Sequence, residues 1–326
     1  MAQKMPLNGF SVLLVTEAYN ISEGQSEAAF VRAVNEIEKI AHRFKGVTVG
    51  VVDPTDDGVA AALLQRNHPL VKVWHLPAQS YEGQKIFAAQ NSDTDIVVYL
   101  DGDCRPLREN WFEKILAPFA DETVCAVGGV THYDDFSITG IAMSILDFGF
   151  LYGAKGSSIG CYASNNVAFR SDTLKAVPFP VDERMRCLCY KHGQLLERAH
   201  RRVCLAPEAV VLHELPNIEK ERHRRGYDHV AALWVDPQLP ETAFLAEPQT
   251  AASHLLQLNY NAVMKRLKIT PPDLGLTTEK VELVTAKIAE LIDIDLCGIK
   301  VALAEGETNG FNQKAYKEHC ILNKRQ

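Results

Sequence analysis

Two carboxylates one residue apart, Asp101 and Asp103, terminate an apolar run that begins at Ile96. Residues i and i+2 of an extended segment point the same way. The pair can therefore converge on one hard divalent cation, with phosphate oxygens of a ligand completing its shell. Gly102 between them leaves room for that approach. Taken alone, Asp-x-Asp equally describes a solvated turn rich in Asp and Gly, so the choice depends on what surrounds it. The run from Ile96 to Leu100 has the composition of a strand buried on both faces of a parallel sheet, and ligands of such sheets sit beyond the carboxyl ends of the strands.

The elements that would position this pair follow from periodicity. Phe10 to Thr16 reads as a buried strand, Glu27 to His42 as a helix with an apolar stripe at Ala28, Val31, Val34, Ile37 and Ile40, and Val47 to Val52 as a second strand. A short helix at Val59 to Gln65, a strand at Val71 to Leu76 and a helix at Gly83 to Gln90 lead to the strand Ile96 to Leu100. This alternation predicts a three-layer α/β/α sandwich on a mostly parallel central sheet. Further on, the pattern predicts a helix at Trp111 to Phe119, a strand at Val124 to Val130, a helix around Glu183 to Lys191 and short strands at Val203 to Leu205 and Ala209 to Leu212. Pro237 and Pro240 mark a boundary, giving a main domain over 1–235 and a C-terminal helical extension over 236–326. The extension holds amphipathic helices at Ala251 to Leu267 and Glu279 to Ile292, the second with Val281, Val284, Ile288 and Leu291 on one face. No G-x-G-x-x-G follows the first strand and no P-loop order occurs, which argues against the usual dinucleotide and P-loop sites.

Composition narrows the partners. A net charge of -7 over 326 residues speaks against a nucleic-acid binder that runs on general electrostatics, and a small-molecule partner fits better. Eight cysteines without a C-x-x-C pair suit reduced thiols in a cytoplasmic protein rather than a disulfide frame or zinc site. Met1 to Phe10 lacks the order of a secretory leader. The nearest approach to a membrane span, Ile138 to Ala154, is too short and too polar to cross alone, which leaves peripheral membrane contact open.

Taken in order, the motifs over roughly residues 9 to 230 resemble those of glycosyltransferases of the GT-A fold, most closely the large family 2. The first strand ends in Val15-Thr16-Glu17-Ala18-Tyr19-Asn20, similar to the family's turn at the nucleotide base. The second ends in Val52-Asp53-Pro54-Thr55-Asp56-Asp57-Gly58, and Gly83, Ala88, Ala89 and Asn91 match a glycine followed by a helix. The resemblance implies that Thr16, Glu17, Asn20 and Asp53 sit at the nucleoside, that Lys85 reaches phosphate, and that Asp101 lies near the ribose and Asp103 on the metal. It places Asn165, in Ala163 to Arg170, in the small polar turn that precedes the acceptor site. His213 would join the metal, with Asp101 and Asp103, or the diphosphate. Arg224 and Arg225, in a basic cluster from Lys220, would pair with the leaving diphosphate, which guanidinium matches bidentately; a solvated helix face is the other reading.

An inverting transfer needs a general base near the acceptor hydroxyl. The family's Glu-Asp pair at a helix start corresponds to Val181-Asp182-Glu183, with Gly193 at the expected spacing, so Asp182, or Glu183, is the candidate base. The family's preceding Glu is missing here, and a plain helix-start acid is the alternative. Trp111 is read as core rather than as a sugar platform. The expected activity is transfer of a sugar from a UDP- or GDP-linked donor to a hydroxyl of a glycan, lipid or small molecule, assisted by Mn²⁺ or Mg²⁺ and inverting. The rivals are a sugar-phosphate nucleotidyltransferase and a catalytically decayed nucleotide-sugar binding or scaffold protein. The C-terminal helices are compatible with capping the domain, forming a homodimer or resting on a membrane.

Overall fold

The computed structural model describes residues 9–18, 27–68, 70–77, 79–153, 160–181, 189–218 and 263–294. The chain divides into two compact units, one of residues 1–132, 154–181 and 187–214, the other of residues 133–153, 182–186 and 215–326.

In the first unit the expected alternation forms. It runs β1 (Val12–Glu17), α1 (Glu27–Arg43), β2 (Val47–Asp53), α2 (Val59–Asn67), β3 (Lys72–His75), α3 (Tyr81–Gln90) and β4 (Ile96–Leu100). There follow β5 (Cys104–Pro106), α4 (Trp111–Leu116), β6 (Val124–Tyr133), then α5 (Ile138–Phe148) of the second unit, and β7 (Asn166–Arg170), α6 (Ser171–Ala176), α7 (Cys189–Arg198) and β8 (Arg202–His213). The eight strands make one sheet in the order β3-β2-β1-β4-β7-β6-β8-β5. Its β3-β2-β1-β4 half is parallel, while β4 with β7, β7 with β6 and β5 with β8 pair antiparallel.

Strand alternation sorts the apolar residues onto two faces. Val12, Leu14, Val98 and Leu100 pack with Phe30, Val34 and Ile37 of α1 and Trp111, Phe112 and Ile115 of α4. Leu13, Val15, Val97 and Tyr99 pack with Ala88 and Ala89 of α3, Leu174 of α6 and Leu196 of α7. A sheet with a separate core on each face is the three-layer α/β arrangement expected from the sequence.

Three elements differ from expectation. The last strand is one continuous element of 12 residues, not two short ones. The sequence reads as broken because Pro207, which has no amide donor, and charged Glu208 stand exposed in the middle; β5 pairs only with Val211 to His213, so Pro207 removes no hydrogen bond from that ladder. The helix expected around Glu183 to Lys191 overlaps residues outside the described set, and the described helix runs on to Arg198 with Leu196 fully buried. The helix after the Asp pair ends at Leu116 and continues as a single 3₁₀ turn, Ala117–Ala120, where Pro118 cannot supply the amide for another α-turn.

In the second unit α5 starts at an N-cap, Ser137, which accepts from the Gly140 amide at 3.3 Å. Tyr133, Asp134 and Asp135 are engaged within this unit: Tyr133 Oη donates to Asp147 (2.7 Å), Asp134 accepts from the Leu215 amide (3.2 Å) and Asp135 from the Ser137 amide (2.7 Å). The helix over 281–294 buries Val284, Ile288, Leu291 and Ile292 but leaves Val281 partly exposed. The boundary expected at Pro237 and Pro240 lies outside the described residues. Among the described residues no helix is long and apolar enough to cross a membrane.

Candidate active site

The strand β4 stops at Leu100, and residues Asp101 to Cys104 form a turn closed by the Cys104 amide on the Asp101 carbonyl, 2.9 Å. Gly102 is required here for a reason other than cation approach: a Cβ would collide with the backbone carbonyl oxygen of Glu17 at the end of β1. Because the chain turns rather than continuing extended, the two carboxylates take different partners.

Asp101 is nearly buried and clamped from α3. Lys85 Nζ lies 2.6 Å from Oδ1, and Tyr81 Oη donates to Oδ2 at 2.5 Å. Tyr81 and Lys85 stand one turn apart, so they present their side chains on one helix face. The same ammonium donates to the Ser164 carbonyl (3.1 Å) and lies over the rings of Tyr81 and Tyr99, 4.5 and 4.9 Å from their centroids. Burial pushes the Asp101 carboxyl above the usual carboxylate range; the Lys85 charge opposes this and the Asp103 charge adds to it. Lys85, expected at phosphate, thus spends its charge on Asp101.

Asp103 turns the other way, to the end of β8. Its Oδ2 is 3.3 Å from His213 Nε2, and its backbone carbonyl accepts from the Glu214 amide at 3.0 Å. His213 Nδ1 lies 2.7 Å from the Glu214 carbonyl oxygen. A carbonyl only accepts, so Nδ1 carries a proton, and in the neutral ring the Nε2 lone pair faces the carboxylate. A neutral ring held this way, with its far nitrogen on a backbone carbonyl, has the arrangement of a metal-ligating histidine. The oxygen and imidazole donors suit a divalent cation such as Mn²⁺ or Mg²⁺. Cys104 Sγ–H donates to Asp103 Oδ1 at 3.6 Å, and burial with the nearby carboxylates pushes its thiol well up.

The other expected residues line the ends of the parallel strands. Asp53 is fully buried; its Oδ1 accepts from the Thr55 amide and hydroxyl (3.0 and 2.5 Å) and its Oδ2 from the Ala61 amide in the first turn of α2 (2.7 Å). Thr16 Oγ1 is buried with no partner among the described residues. Glu17 is buried and accepts from the Gly102 amide at 3.4 Å. Asn165 accepts from Thr131 Oγ1 (3.0 Å), and its carbonyl accepts the Asp101 amide (3.2 Å). Trp111 is fully buried with its indole N–H on Asn166 (3.0 Å), a core role. Asn20, Asp182, Glu183, Arg224 and Arg225 lie outside the described residues. Sequence reasoning passed over Tyr81, Ser164 and Cys104, whose partners are distant or carry no motif.

Similarity to known proteins narrows the chemistry of this site. Residues 31–183 match the description "Glycosyl transferase family 2". They form a family 2 glycosyltransferase domain. Among solved structures this glycosyltransferase is similar to a mannosyltransferase from Pyrobaculum calidifontis in complex with GDP-Man and Mn²⁺, at 18% identity and a TM-score of 0.57 over 89% of this chain and 87% of that one. It is also similar to GalNAc-T7 with UDP, GalNAc and Mn²⁺, at 12% identity and a TM-score of 0.51 over 74% of this chain and 51% of that one. Among curated proteins none matches the sequence. At these identities the structural likeness shows the GT-A fold of the glycosyltransferase, while the family match supplies its class of chemistry.

Proposed function

We propose that this glycosyltransferase moves a sugar from a UDP- or GDP-linked donor to a hydroxyl acceptor, with Mn²⁺ or Mg²⁺ held by Asp103 and His213. The observation that carries the proposal is the placement of His213, with Nδ1 2.7 Å from the Glu214 carbonyl oxygen and Nε2 3.3 Å from Asp103 Oδ2. Two structural relatives solved with a guanosine or uridine diphosphate ligand and Mn²⁺ support it. A divalent cation at this position supplies charge neutralisation for a departing diphosphate.

The chain's own residues would do the rest. Thr16 and the Asp53 turn sit at the strand ends, where the nucleoside of a ligand is received in open parallel sheets. Asp101, held rigidly by Tyr81 and Lys85, presents a fixed carboxylate to the donor rather than joining the cation. Asp182 is proposed as the base that takes the acceptor proton in an inverting displacement, with Glu183 as its neighbour, and Arg224 and Arg225 as cations for the leaving group.

Calorimetry with UDP and GDP, each with and without Mn²⁺, followed by a donor-hydrolysis assay over a panel of nucleotide sugars, tests the reading. Binding should need the cation, and Asp103→Asn should abolish both binding enhancement and hydrolysis while the circular dichroism spectrum is retained. Undiminished metal-dependent turnover in Asp103→Asn would sink the assignment. Binding without turnover in the wild type would instead make the chain a nucleotide-sugar binding protein.

A further inference from the structure

We infer that Asp103, Cys104 and His213 form a second, thiophilic coordination mode of the same locus, one that captures Zn²⁺ or a similar borderline-soft ion through the Cys104 sulfur. The ligand atoms of these three residues all lie within 4.8 Å of one another. Cys104 and His213 are direct cross-strand partners in the β5–β8 ladder, so the backbone fixes the sulfur and imidazole side by side. Asp103 joins them from the turn, with Cys104 Sγ 3.6 Å from Oδ1 and His213 Nε2 3.3 Å from Oδ2.

Bond lengths decide the chemistry. Tetrahedral zinc with bonds of about 2.3 Å to sulfur and about 2.0 Å to nitrogen or oxygen separates its ligands by roughly 3.3–3.6 Å. The sulfur lies 3.6 Å from Oδ1 and the imidazole nitrogen 3.3 Å from Oδ2, so a small rotation of the Asp103 carboxylate brings one oxygen, the sulfur and the nitrogen to such spacings. A hard ion has no use for the sulfur: Mn²⁺ and Mg²⁺ prefer oxygen ligands, and the thiol then remains a hydrogen-bond donor to Asp103. A thiophilic ion instead takes the sulfur as thiolate, and the Sγ–H proton leaves to solvent. Three protein ligands leave a fourth position for water. Capture would occupy the oxygen and nitrogen ligands assigned above to the donor's cation, so Zn²⁺ would compete with Mn²⁺ and suppress transfer. That consequence rests on the proposed function; the coordination mode does not.

The test uses the full chain without nucleotide and the metals alone as probes. Co²⁺ should give the thiolate-to-metal charge-transfer absorption in the wild type and lose it in Cys104→Ala and Cys104→Ser. Zn²⁺ affinity, measured against a chromophoric chelator, should fall roughly ten- to hundredfold in both variants. Calorimetry in buffers of different ionisation enthalpy should show a proton release with Zn²⁺ that both variants lack. Cys104→Ser keeps the volume and a donor to Asp103, so a loss common to both variants is not a folding defect. Co²⁺ binding without a thiolate band, or equal Zn²⁺ affinity in wild type and variants, would overturn the inference. Failure of Mn²⁺ and the nucleotides to bind, with the cobalt–thiolate band intact, would overturn the donor reading and leave this one standing.

Discussion

At the scale of single residues, Asp101 and Lys85 form a buried ion pair, 2.6 Å apart. A buried ion pair owes little net stability to its attraction, but removing one partner leaves the other charge stranded. Lys85→Met should therefore lower stability by about 3–5 kcal/mol, read from urea unfolding at neutral pH, and the double variant Lys85→Met with Asp101→Asn should recover most of the loss. The sign of its pH dependence is fixed. Burial and Asp103 raise the Asp101 pKa while Lys85 lowers it, so without Lys85 it lies higher still. A carboxyl whose folded pKa exceeds its unfolded one contributes stability below the unfolded value and loses it as pH rises through the folded one. The deficit of Lys85→Met should thus shrink in acid and grow toward neutrality; a pH-independent deficit would show that the pair is not what was removed. Tyr81→Phe, which deletes a hydrogen bond to a charged group, should cost about 1.5–3 kcal/mol in the same assay. The Asp pair itself was legible, since a hydrophobic strand ending in carboxylates is a local pattern. Its partners were not: Tyr81 at a helix start reads as an ordinary aromatic, Lys85 was expected at phosphate, and nothing local announces that Cys104 will face His213 across a ladder.

Elements were legible where burial is two-sided and continuous. The strand Ile96–Leu100 coincides with its apolar run, and α1 with its 3.6-residue stripe, because there the pattern and the packing are the same fact. The limits of β8 were lost because a ladder tolerates an exposed Pro-Glu pair that periodicity cannot. The helix α7 shows a different tie. His192, fully buried against Phe169 and Phe179, bonds Tyr162 Oη through Nδ1 and the Val177 carbonyl through Nε2 at 2.7 Å. Val177 is the C-cap of α6, so this imidazole ties α7 to the end of α6. Burial pushes the His192 pKa down to about 4, against the Val177 hydrogen bond. The unfolded chain, with a histidine near its ordinary value of about 6.5, takes up the proton first, so folding loses stability as pH falls from there toward 4. Between pH 7 and pH 5 this amounts to about 2 kcal/mol. His192→Gln should flatten that part of the urea-midpoint profile relative to the wild type; an unchanged profile would mean that other groups carry it.

The first unit as a whole makes the site, because Asp103 and His213 meet only when β8 has paired with β5, and Thr16, Asp53 and Asp101 are gathered only by the parallel order β2-β1-β4. No part of that constellation exists in the unfolded chain, so a ligand that uses it binds the native state alone. Such a ligand stabilises by RT ln(1 + [L]/Kd), about 2.7 kcal/mol at a hundredfold excess over Kd. For a unit of this size each kcal/mol moves Tm by roughly 2–4 °C, so the shift should be about 5–10 °C. Trp74 and Trp111 both lie in the first unit, which makes tryptophan fluorescence the natural monitor. Mn²⁺ with whichever of UDP and GDP is the donor's nucleotide should raise that transition, chelation should reverse the rise, and Asp103→Asn should lack it. The nucleotide giving the larger shift identifies the donor's base. A shift of equal size without metal would remove the cation from the proposed function, and no shift with either nucleotide would remove the nucleotide.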